Sequence, residues 1–390
     1  YSKGEITYDE LQALTQYCAP TCGSCQFMGT ANTMAVLGEA LGMTLSGGAL
    51  IPAVYNERKR SAFKSGEKIV ELVMKNIIAR QIMTWDAIEN AIMVLMAVGG
   101  STNAVIHTCA IAYEMGFDPE KVMEAFDKYS NIIPHIAKVD PASLIYDCED
   151  FYKAGGIPEA MKAIRAHLHT RVMTVDVQTL GENLDQAFNF HPANTDLIRT
   201  LDNPHSTLGG LAIMRGNLAP DTGVAKPAAI AEEARQFTGT AICFDGEHDC
   251  IEAIKEHRIK PGHVIVIRYE GPKGGPGMRE MYLPLKMLNG QGLAKTTALI
   301  TDGRFSGTNN GCFVGHISPE AAAGGPIALV RDGDKITVDV INKRLDVHIS
   351  DEEMARRRSE WRYTPDSSIS GYLARYAKLV SSASEGAVLK

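Results

Sequence analysis

HVIVIRYEGPKGGPGMREM, residues 263–281, joins an apolar β-patterned run to a loop dense in glycine, proline and charged side chains. The stretch ALITDGRFSGT, residues 298–308, repeats this arrangement. Two strands that each end in such a loop are typical of an active-site rim, because loops held by a rigid sheet commonly carry function. The alternative is a pair of ordinary barrel turns. Neither loop is a phosphate loop of the G-x-x-x-x-G-K-[S/T] type, and neither fits a dinucleotide fingerprint.

Further strands surround these two in the second half of the chain. The β-patterned runs, separated by turn residues, lie at 211–214, 240–244, 263–269, 297–301, 327–330 and 335–340. Regular spacing of short strands favours a β-barrel or a sandwich. Before residue 205 the apolar periodicity is helical, and the almost wholly apolar segment 86–98 predicts a buried helix.

The sequence therefore predicts an α/β fold in two domains. A helix-rich N-terminal α/β domain covers residues 1–204. A C-terminal β-barrel domain with closing helices covers residues 205–390. The total length of 390 residues is enough for two such domains, each with a sizeable core.

Charge and cysteine content exclude several classes of protein. Lys and Arg number 39 against 46 Asp and Glu, so the net charge is −7 and no excess of positive charge is available to neutralise phosphates. The longest apolar run, residues 91–100, is about half of what a membrane helix needs. Eight cysteines in 390 residues are too few for a disulfide scaffold. We therefore predict a cytoplasmic protein in a reducing compartment.

Three of the cysteines cluster in CAPTCGSC, residues 18–25. Such clustering indicates metal or redox chemistry in a protein without disulfides. A zinc knuckle lacks its second pair of ligands here, and a thioredoxin-like pair lacks the preceding strand. Two interpretations stay open. One is an iron–sulfur cluster that takes further ligands from distant segments, and the other is three unligated thiols. The helix predicted from Thr33 would direct its N-terminus toward this turn, which favours a thiolate or carboxylate there.

A second polar turn, GGSTN at residues 99–103, lies between two predicted helices. Its glycines permit close backbone approach, and its three polar side chains could contact an anion or hydroxyl groups. A capped interhelical turn is the equally weighted alternative. His107 and His316 are expected to be packed or supporting residues rather than metal ligands. Ser306 is not in a G-x-S-x-G nucleophile elbow.

Four segments resemble, in the same order, those of the dihydroxy-acid and sugar-acid dehydratases. They are CAPTCGSCQFMGTANTM (18–34), GGSTN (99–103), YEGPKGGPGMREM (269–281) and TDGRFSG (301–307). The likeness extends over essentially the whole chain. It implies the family's fold, in which an N-terminal α/β domain precedes a C-terminal β-barrel and the metal groups lie between them.

The resemblance also implies an activity, cofactors and site residues. Family members are iron–sulfur hydro-lyases that need Mg²⁺ and convert a 2,3-dihydroxy carboxylate to a 2-oxo acid. By this likeness Cys25 binds the cluster, which is [2Fe–2S] in preference to [4Fe–4S], and Glu280 binds Mg²⁺. Ser306 takes the position of the general base and Thr308 that of a supporting threonine. The residue types agree, since loss of a hydroxyl needs a Lewis acid and Mg²⁺ prefers oxygen ligands.

Partners follow from the same resemblance. They are a small-molecule dihydroxy acid or sugar acid and further copies of the chain, as a homodimer or homotetramer, with no nucleic acid and no membrane. Branched-chain amino-acid synthesis is favoured over sugar-acid breakdown.

The chain departs from the family pattern at its start. The family's further cluster cysteines, with an aspartate and a carbamylated lysine on Mg²⁺, lie in a segment containing Cys-Asp-Lys, and no such tripeptide occurs here. We therefore expect a missing N-terminal segment, and we expect the cluster and Mg²⁺ to bind only when it is present. The alternative from another class is an inactive truncated or non-catalytic metal-binding protein, in which Cys18, Cys22 and Cys25 hold Zn²⁺ or nothing.

Overall fold

The computed structural model describes residues 1, 3–18, 21–305 and 311–390. Ser306 and Thr308, both predicted from the sequence as site residues, lie outside these ranges. The α-helices of the described residues are α1 Tyr8–Thr15, α2 Thr30–Ala40, α3 Asn56–Met74, α4 Ala79–Ile82, α5 Trp85–Val98, α6 Asn103–Glu114, α7 Pro119–Ser130, α8 Cys148–Lys153, α9 Gly156–Ala163, α10 Leu180–Gln186, α11 Glu247–Lys255, α12 Leu283–Gly290, α13 Asp351–Glu360 and α14 Gly371–Leu379. The strands are β1 Ala212–Met214, β2 Thr222–Ala225, β3 Gln236–Phe244, β4 His263–Ile267, β5 Ala298–Thr301, β6 Cys312–Ser318, β7 Lys335–Asp339 and β8 Arg344–Val347.

Helix α5 forms the centre of the N-terminal core. The Thr84 side chain caps its start by accepting a hydrogen bond from the Ala87 amide, and Gly99 ends it in the left-handed conformation (φ 68°). Residues 91–98 are all buried, and α2, α7 and α9 pack around them. Each large aliphatic side chain buried in this way stabilises the fold by roughly 1.5–3 kcal/mol. The predicted buried helix is confirmed.

Extended segments accompany these helices without forming a sheet. In the described part of residues 1–204 they make only isolated bridges, such as Ala137 with Ile198 and Met173 with Thr179. The N-terminal region is therefore helix-rich, as predicted, and its extended pieces serve as connections between helices.

The second half of the chain forms an eight-stranded sheet in the order β1-β2-β6-β5-β4-β3-β7-β8. The four strands from β3 to β6 pair in parallel, and the outer pairs are antiparallel. The two edges meet where the Arg215 amide donates to the Lys343 carbonyl (2.9 Å) and the Leu345 amide donates to the Arg215 carbonyl (3.0 Å). The predicted β-barrel is thus confirmed as a nearly closed one, and the closure leaves little free edge for pairing with other chains.

The central parallel strands determine where the Gly-rich loops lie. Ile267, the last residue of β4, lies opposite Thr301, the last residue of β5. Since both strands are parallel and end together, the loops that follow them leave the same edge of the barrel. The two loops singled out in the sequence are therefore neighbours.

Some elements differ from the sequence prediction. Residues 327–330, predicted as a strand, lie mostly in a 3₁₀ helix, Pro326–Leu329. Pro326 at its first position has the fixed φ that begins a helical turn. Strands β2, β6 and β8 and helices α11 and α12 have no counterpart among the predicted elements. Across the described ranges, no helix combines the length and the apolar character needed to cross a membrane.

Two large buried hydrophobic clusters, with a third of only three buried residues, make up the core of the described residues. One runs from Met28 to Val224 and is built around the helices, and the other runs from Met214 to Val347 and fills the barrel. The boundary predicted between residues 204 and 205 stays a proposal, and this division of the core supports it.

A buried histidine at the edge of the helical core should make stability depend on pH. His135 is 1% exposed, and burial together with the cationic neighbours His205 and Lys226 lowers its pKa from 6.5 to about 3. The unfolded chain binds a proton at this site below pH 6.5 and the folded chain does not, so stability falls as the pH falls through this window.

Replacing this side chain by His135→Gln should flatten that dependence. We expect the slope of the free energy of unfolding against pH to decrease by about 1.4 kcal/mol per pH unit between pH 6.5 and 4. Urea denaturation at several pH values measures the slope. His191→Gln, at an exposed position, is the matched control, and an unchanged slope in His135→Gln would contradict the expectation.

Candidate active site

A buried carboxylate ties together the segments at the barrel edge. Asp302, directly after β5, accepts hydrogen bonds from the amides of Tyr269 (3.1 Å), Glu270 (3.0 Å) and Ala321 (2.8 Å). Burial, assisted by the nearby Glu320 carboxylate, raises the pKa of Asp302 to about 7 against the opposing effect of these amides. The start of the first Gly-rich loop is therefore fixed by the first residue of the second loop.

Glu320 fixes the middle of the same loop. Its carboxylate accepts from the amides of Lys273 (2.9 Å) and Gly274 (2.9 Å). A Cβ atom on Gly271 would lie 2.7 Å from Glu320 Oε2, so this position has no room for a side chain. Burial raises the pKa of Glu320, while the two amides lower it. The glycines of the loop thus permit close approach of the backbone to a carboxylate.

Removing the Asp302 carboxylate should destabilise the barrel. Asp302→Ala leaves three backbone amides without their acceptor, and a buried unsatisfied donor costs about 1–3 kcal/mol. We expect the free energy of unfolding to fall by at least about 3 kcal/mol in chemical denaturation. Asp202→Ala, at an exposed position, serves as control and should change it by about 0.5 kcal/mol or less. Equal stability of the two variants would contradict this role.

Glu280 lies at the far end of the first loop, beside the second. Residues 280 and 304 pair in parallel, with the Met281 amide donating to the Arg304 carbonyl (2.9 Å). The Arg304 Nε also donates to the Met278 carbonyl. The backbone of the partly buried Glu280 is thereby held against that of Arg304, beside the second Gly-rich loop.

The GGSTN turn reaches this carboxylate from the helical domain. Asn103, fully buried at the start of α6, donates through Nδ2 to Glu280 Oε2 (3.0 Å) and to Thr30 Oγ1 (2.7 Å). Thr102 Oγ1 donates to the carbonyl of Phe305 (2.7 Å), the last described residue before Ser306. Ser101 Oγ accepts from the Asn103 amide (3.2 Å), whereas Thr102, the N-cap residue of α6, makes no side-chain capping hydrogen bond among the described residues. The turn thus joins the helical core to the Gly-rich loops at the predicted site.

Thr30 connects the turn to the cysteine segment. It begins α2, and its hydroxyl lies 3.1 Å from Ser101 Oγ. Five residues earlier in the chain, Cys25 is exposed, and its carbonyl accepts from Asn32 Nδ2 (2.6 Å). The predicted cluster residue therefore lies in the segment that leads into α2. Cys18 and Cys22 are also exposed.

A fourth cysteine supports this turn and was not singled out from the sequence. Cys148 is buried, its Sγ accepts from Asn32 Nδ2 (3.4 Å), and its amide donates to the Gln26 carbonyl (2.8 Å). On the other side, the Met28 amide donates to the Asp140 carbonyl (2.6 Å). The Cys25 turn, residues 25–28, is thus held in place by residues that are far away in sequence.

Two histidines predicted to be supporting residues flank this region. His316 is buried in β6, and neither ring nitrogen has a hydrogen-bond partner within the described part of the chain. Burial, with Arg304 and His107 nearby, lowers the pKa of His316 to about 3. Burial also lowers the pKa of the half-buried His107, and Arg304 adds to this while Glu280 opposes it. Both imidazoles are therefore neutral at pH 7.

The donor atoms fit the groups that the sequence implies. Asn103 Oδ1 is buried and has no hydrogen-bond partner among the described residues. With the Glu280 carboxylate nearby, it adds a second oxygen donor of the kind that Mg²⁺ prefers. The exposed Cys25 side chain offers a sulfur ligand of the kind that iron–sulfur clusters use.

Comparisons with known proteins find the same family of dehydratases along nearly the whole chain. Residues 1–183 match the family model described as dihydroxy-acid/6-phosphogluconate dehydratase N-terminal, and residues 196–387 match the corresponding C-terminal model. A dihydroxy-acid dehydratase of Acetivibrio thermocellus is 48% identical over 392 residues, covering 100% of this chain and 70% of the relative. The dihydroxy-acid dehydratases of Thermodesulfovibrio yellowstonii (46% over 392 residues, 100% and 70%) and Carboxydothermus hydrogenoformans (48% over 389 residues, 99% and 69%) are similar to the same extent. The chain thus spans about 70% of the length of these relatives.

Proposed function

Since the chain belongs to the dihydroxy-acid/6-phosphogluconate dehydratase family of hydro-lyases, we propose that it removes water from a 2,3-dihydroxy carboxylate to give a 2-oxo acid. The observation that carries the proposal is the hydrogen bond from Asn103 Nδ2 to Glu280 Oε2 (3.0 Å). Through it the Gly-rich loop of the barrel meets the polar turn of the helices, which Thr30 links to the Cys25 segment.

The family implies an iron–sulfur cluster, and we propose [2Fe–2S] as its type, with Mg²⁺ as a second group. Cys25 would be one ligand of the cluster. Glu280, with Asn103 Oδ1 nearby, would hold Mg²⁺. When bound, these groups supply Lewis acidity for the departing 3-hydroxyl and for the carboxylate and 2-hydroxyl.

The protein's own residues have the remaining tasks. We assign Ser306 as the base that takes the C2 proton, which requires its hydroxyl to be deprotonated, and Thr308 as its support. The Thr102 hydrogen bond fixes the Phe305 carbonyl next to Ser306. Loss of the C2 proton and the 3-hydroxyl leaves an enol, and its tautomerisation gives the 2-oxo acid. Arg304 at the barrel mouth provides positive charge for an anionic substrate.

We propose a branched 2,3-dihydroxy acid of branched-chain amino-acid synthesis as substrate, with a sugar acid as the alternative within the family. The first is supported by relatives that carry the description dihydroxy-acid dehydratase along the full chain. Location in the cytoplasm and assembly as a homodimer or homotetramer belong to the proposal as well. Eight free cysteines support a reducing compartment.

The test is anaerobic purification of the full-length protein, reconstitution with iron, sulfide and Mg²⁺, and assay for 2-oxo acid. A branched 2,3-dihydroxy acid and an aldonate serve as parallel substrates. We expect bound iron and sulfide, a visible absorption spectrum, and product from the branched acid. A protein that binds neither iron nor sulfide and forms no 2-oxo acid, or that holds only Zn²⁺, overturns the proposal.

A further inference from the structure

Lys226 is a buried cation that has no counter-ion among the described residues. It follows β2 at the entrance to the barrel domain and is 0% exposed. Its Nζ has no hydrogen-bond partner among the residues that the structure describes. Burial lowers the pKa of Lys226 to about 8, so the side chain remains mostly protonated at pH 7. A buried ammonium group carries a large desolvation penalty unless an anion lies near it.

Besides lowering the pKa of His135, Lys226 interacts electrostatically with Cys148 and Asp140. Both also hold the Cys25 turn. The Cys148 amide donates to the Gln26 carbonyl (2.8 Å), and the Asp140 carbonyl accepts from the Met28 amide (2.6 Å).

The residues after Lys226 pack against the 99–103 turn, since a Cβ on Gly99 would lie 3.1 Å from Ala228 Cβ and one on Gly100 would lie 2.6 Å from Thr33 Cγ2 of α2. Lys226 therefore lies near the start of α2, where Asn32 holds the Cys25 carbonyl.

A structural ion pair with Asp140 does not account for this lysine. Within the described ranges no carboxylate oxygen lies within ion-pair distance, 4.0 Å, of Lys226 Nζ. Burial raises the pKa of Asp140, which weakens it as a partner, and Lys286 of α12 competes for it. The charge of Lys226 is therefore free to balance an anionic group that binds at the Cys25 turn.

We propose that Lys226 is a positioning residue whose ammonium balances the negative charge of the iron–sulfur cluster held at the Cys25 turn. This inference rests on the proposed function. A cluster with thiolate ligands is anionic, and nearby charge contributes to its reduction potential. Lys226 lies among the residues that support the Cys25 segment, so it acts through charge and not as a ligand.

Lys226→Met tests the inference because it keeps an unbranched side chain of similar length and removes its charge. Lys286→Met is the matched control, since it removes an equal charge that also faces Asp140. Each variant is reconstituted with iron and sulfide in the full-length protein. We expect the cluster of Lys226→Met to be lost to a chelator about tenfold faster and to have a lower reduction potential than that of the wild type. We expect Lys286→Met to resemble the wild type in both measurements.

The thermal midpoint of the metal-free protein separates this role from a structural one. Removing an unpartnered buried cation should raise the midpoint in Lys226→Met, whereas removing a structural ion pair should lower it. Lys226→Arg, which keeps the charge, should retain the wild-type potential and serves if the methionine variant does not fold. The inference is overturned if Lys226→Met loses its cluster at the wild-type rate and has the wild-type reduction potential. It is also overturned if the reduction potential of Lys226→Arg is as low as that of Lys226→Met. Failure of the wild type itself to bind iron and sulfide overturns the proposed function instead.

Discussion

Glu280→Gln should lower the turnover of the reconstituted enzyme at least about a hundredfold, because a metal ligand of this kind contributes several kcal/mol to transition-state stabilisation. The amide keeps the size of the side chain and one oxygen, but it loses the charge that holds Mg²⁺. Glu280 is only partly buried and its backbone pairing with Arg304 does not depend on its side chain. The fold should therefore persist, and steady-state assays across Mg²⁺ concentrations should show the loss.

The control for this prediction is Glu256→Gln, an exposed carboxylate on the same domain. It should retain normal turnover and the normal dependence on Mg²⁺. Asn103→Ala should give an intermediate effect, a loss of about ten- to a hundredfold, because Asn103 orients Glu280 through a hydrogen bond of 3.0 Å. Near-normal turnover of Glu280→Gln at low Mg²⁺ would show that the metal is held elsewhere.

Cys25→Ser should abolish cluster binding together with activity, a loss of about a thousandfold or more. The ligand of iron is a thiolate, and a serine hydroxyl is neither deprotonated near neutral pH nor as soft a donor. Cys25 is exposed and only its carbonyl is held, by Asn32. The substitution should thus leave the backbone of the turn intact. Iron and sulfide analysis with visible spectroscopy measures the loss directly.

The neighbouring exposed thiols provide the comparison. Cys18→Ser and Cys22→Ser should retain iron, sulfide and activity, since the family resemblance places the cluster ligand at the last cysteine of the turn. A zinc site built from all three thiols predicts the opposite, namely equal damage from each substitution and bound Zn²⁺ in place of iron. Full iron content in Cys25→Ser would exclude Cys25 as a ligand.

Much of the architecture around the site could be predicted from local sequence. The buried helix α5 is apolar on several faces, and β4 and β5 are short apolar runs that end in turn-rich loops, so both kinds of element have a clear sequence signal. The strand prediction for residues 327–330 is wrong because their apolar run is typical of a strand, whereas Pro326 begins a 3₁₀ helix there. Strand β6 contains Gly315 and His316, which weaken the strand pattern although the whole segment is buried.

The site itself was only partly predictable. Glu280 and the 99–103 turn lie in distinctive motifs, and the structure brings them together. The Ser306 and Thr308 assignments stay predictions. Asp302 had a local signal, an acidic residue directly after a buried strand. Lys226, by contrast, has no local signal, because only tertiary packing buries its ammonium group without a hydrogen-bond partner among the described residues.

The hydrogen bonds from Thr102 to Phe305 and from Asn103 to Glu280 cross between the two hydrophobic cores. Neither core therefore contains the whole candidate site, and each provides one wall of it. A small rotation of one body against the other would separate these walls without unfolding either. Chain segments that carry the two cores, if expressed separately, should each be inactive and should recover activity only when they reassociate. The relative position of the two cores would then determine the rate of catalysis.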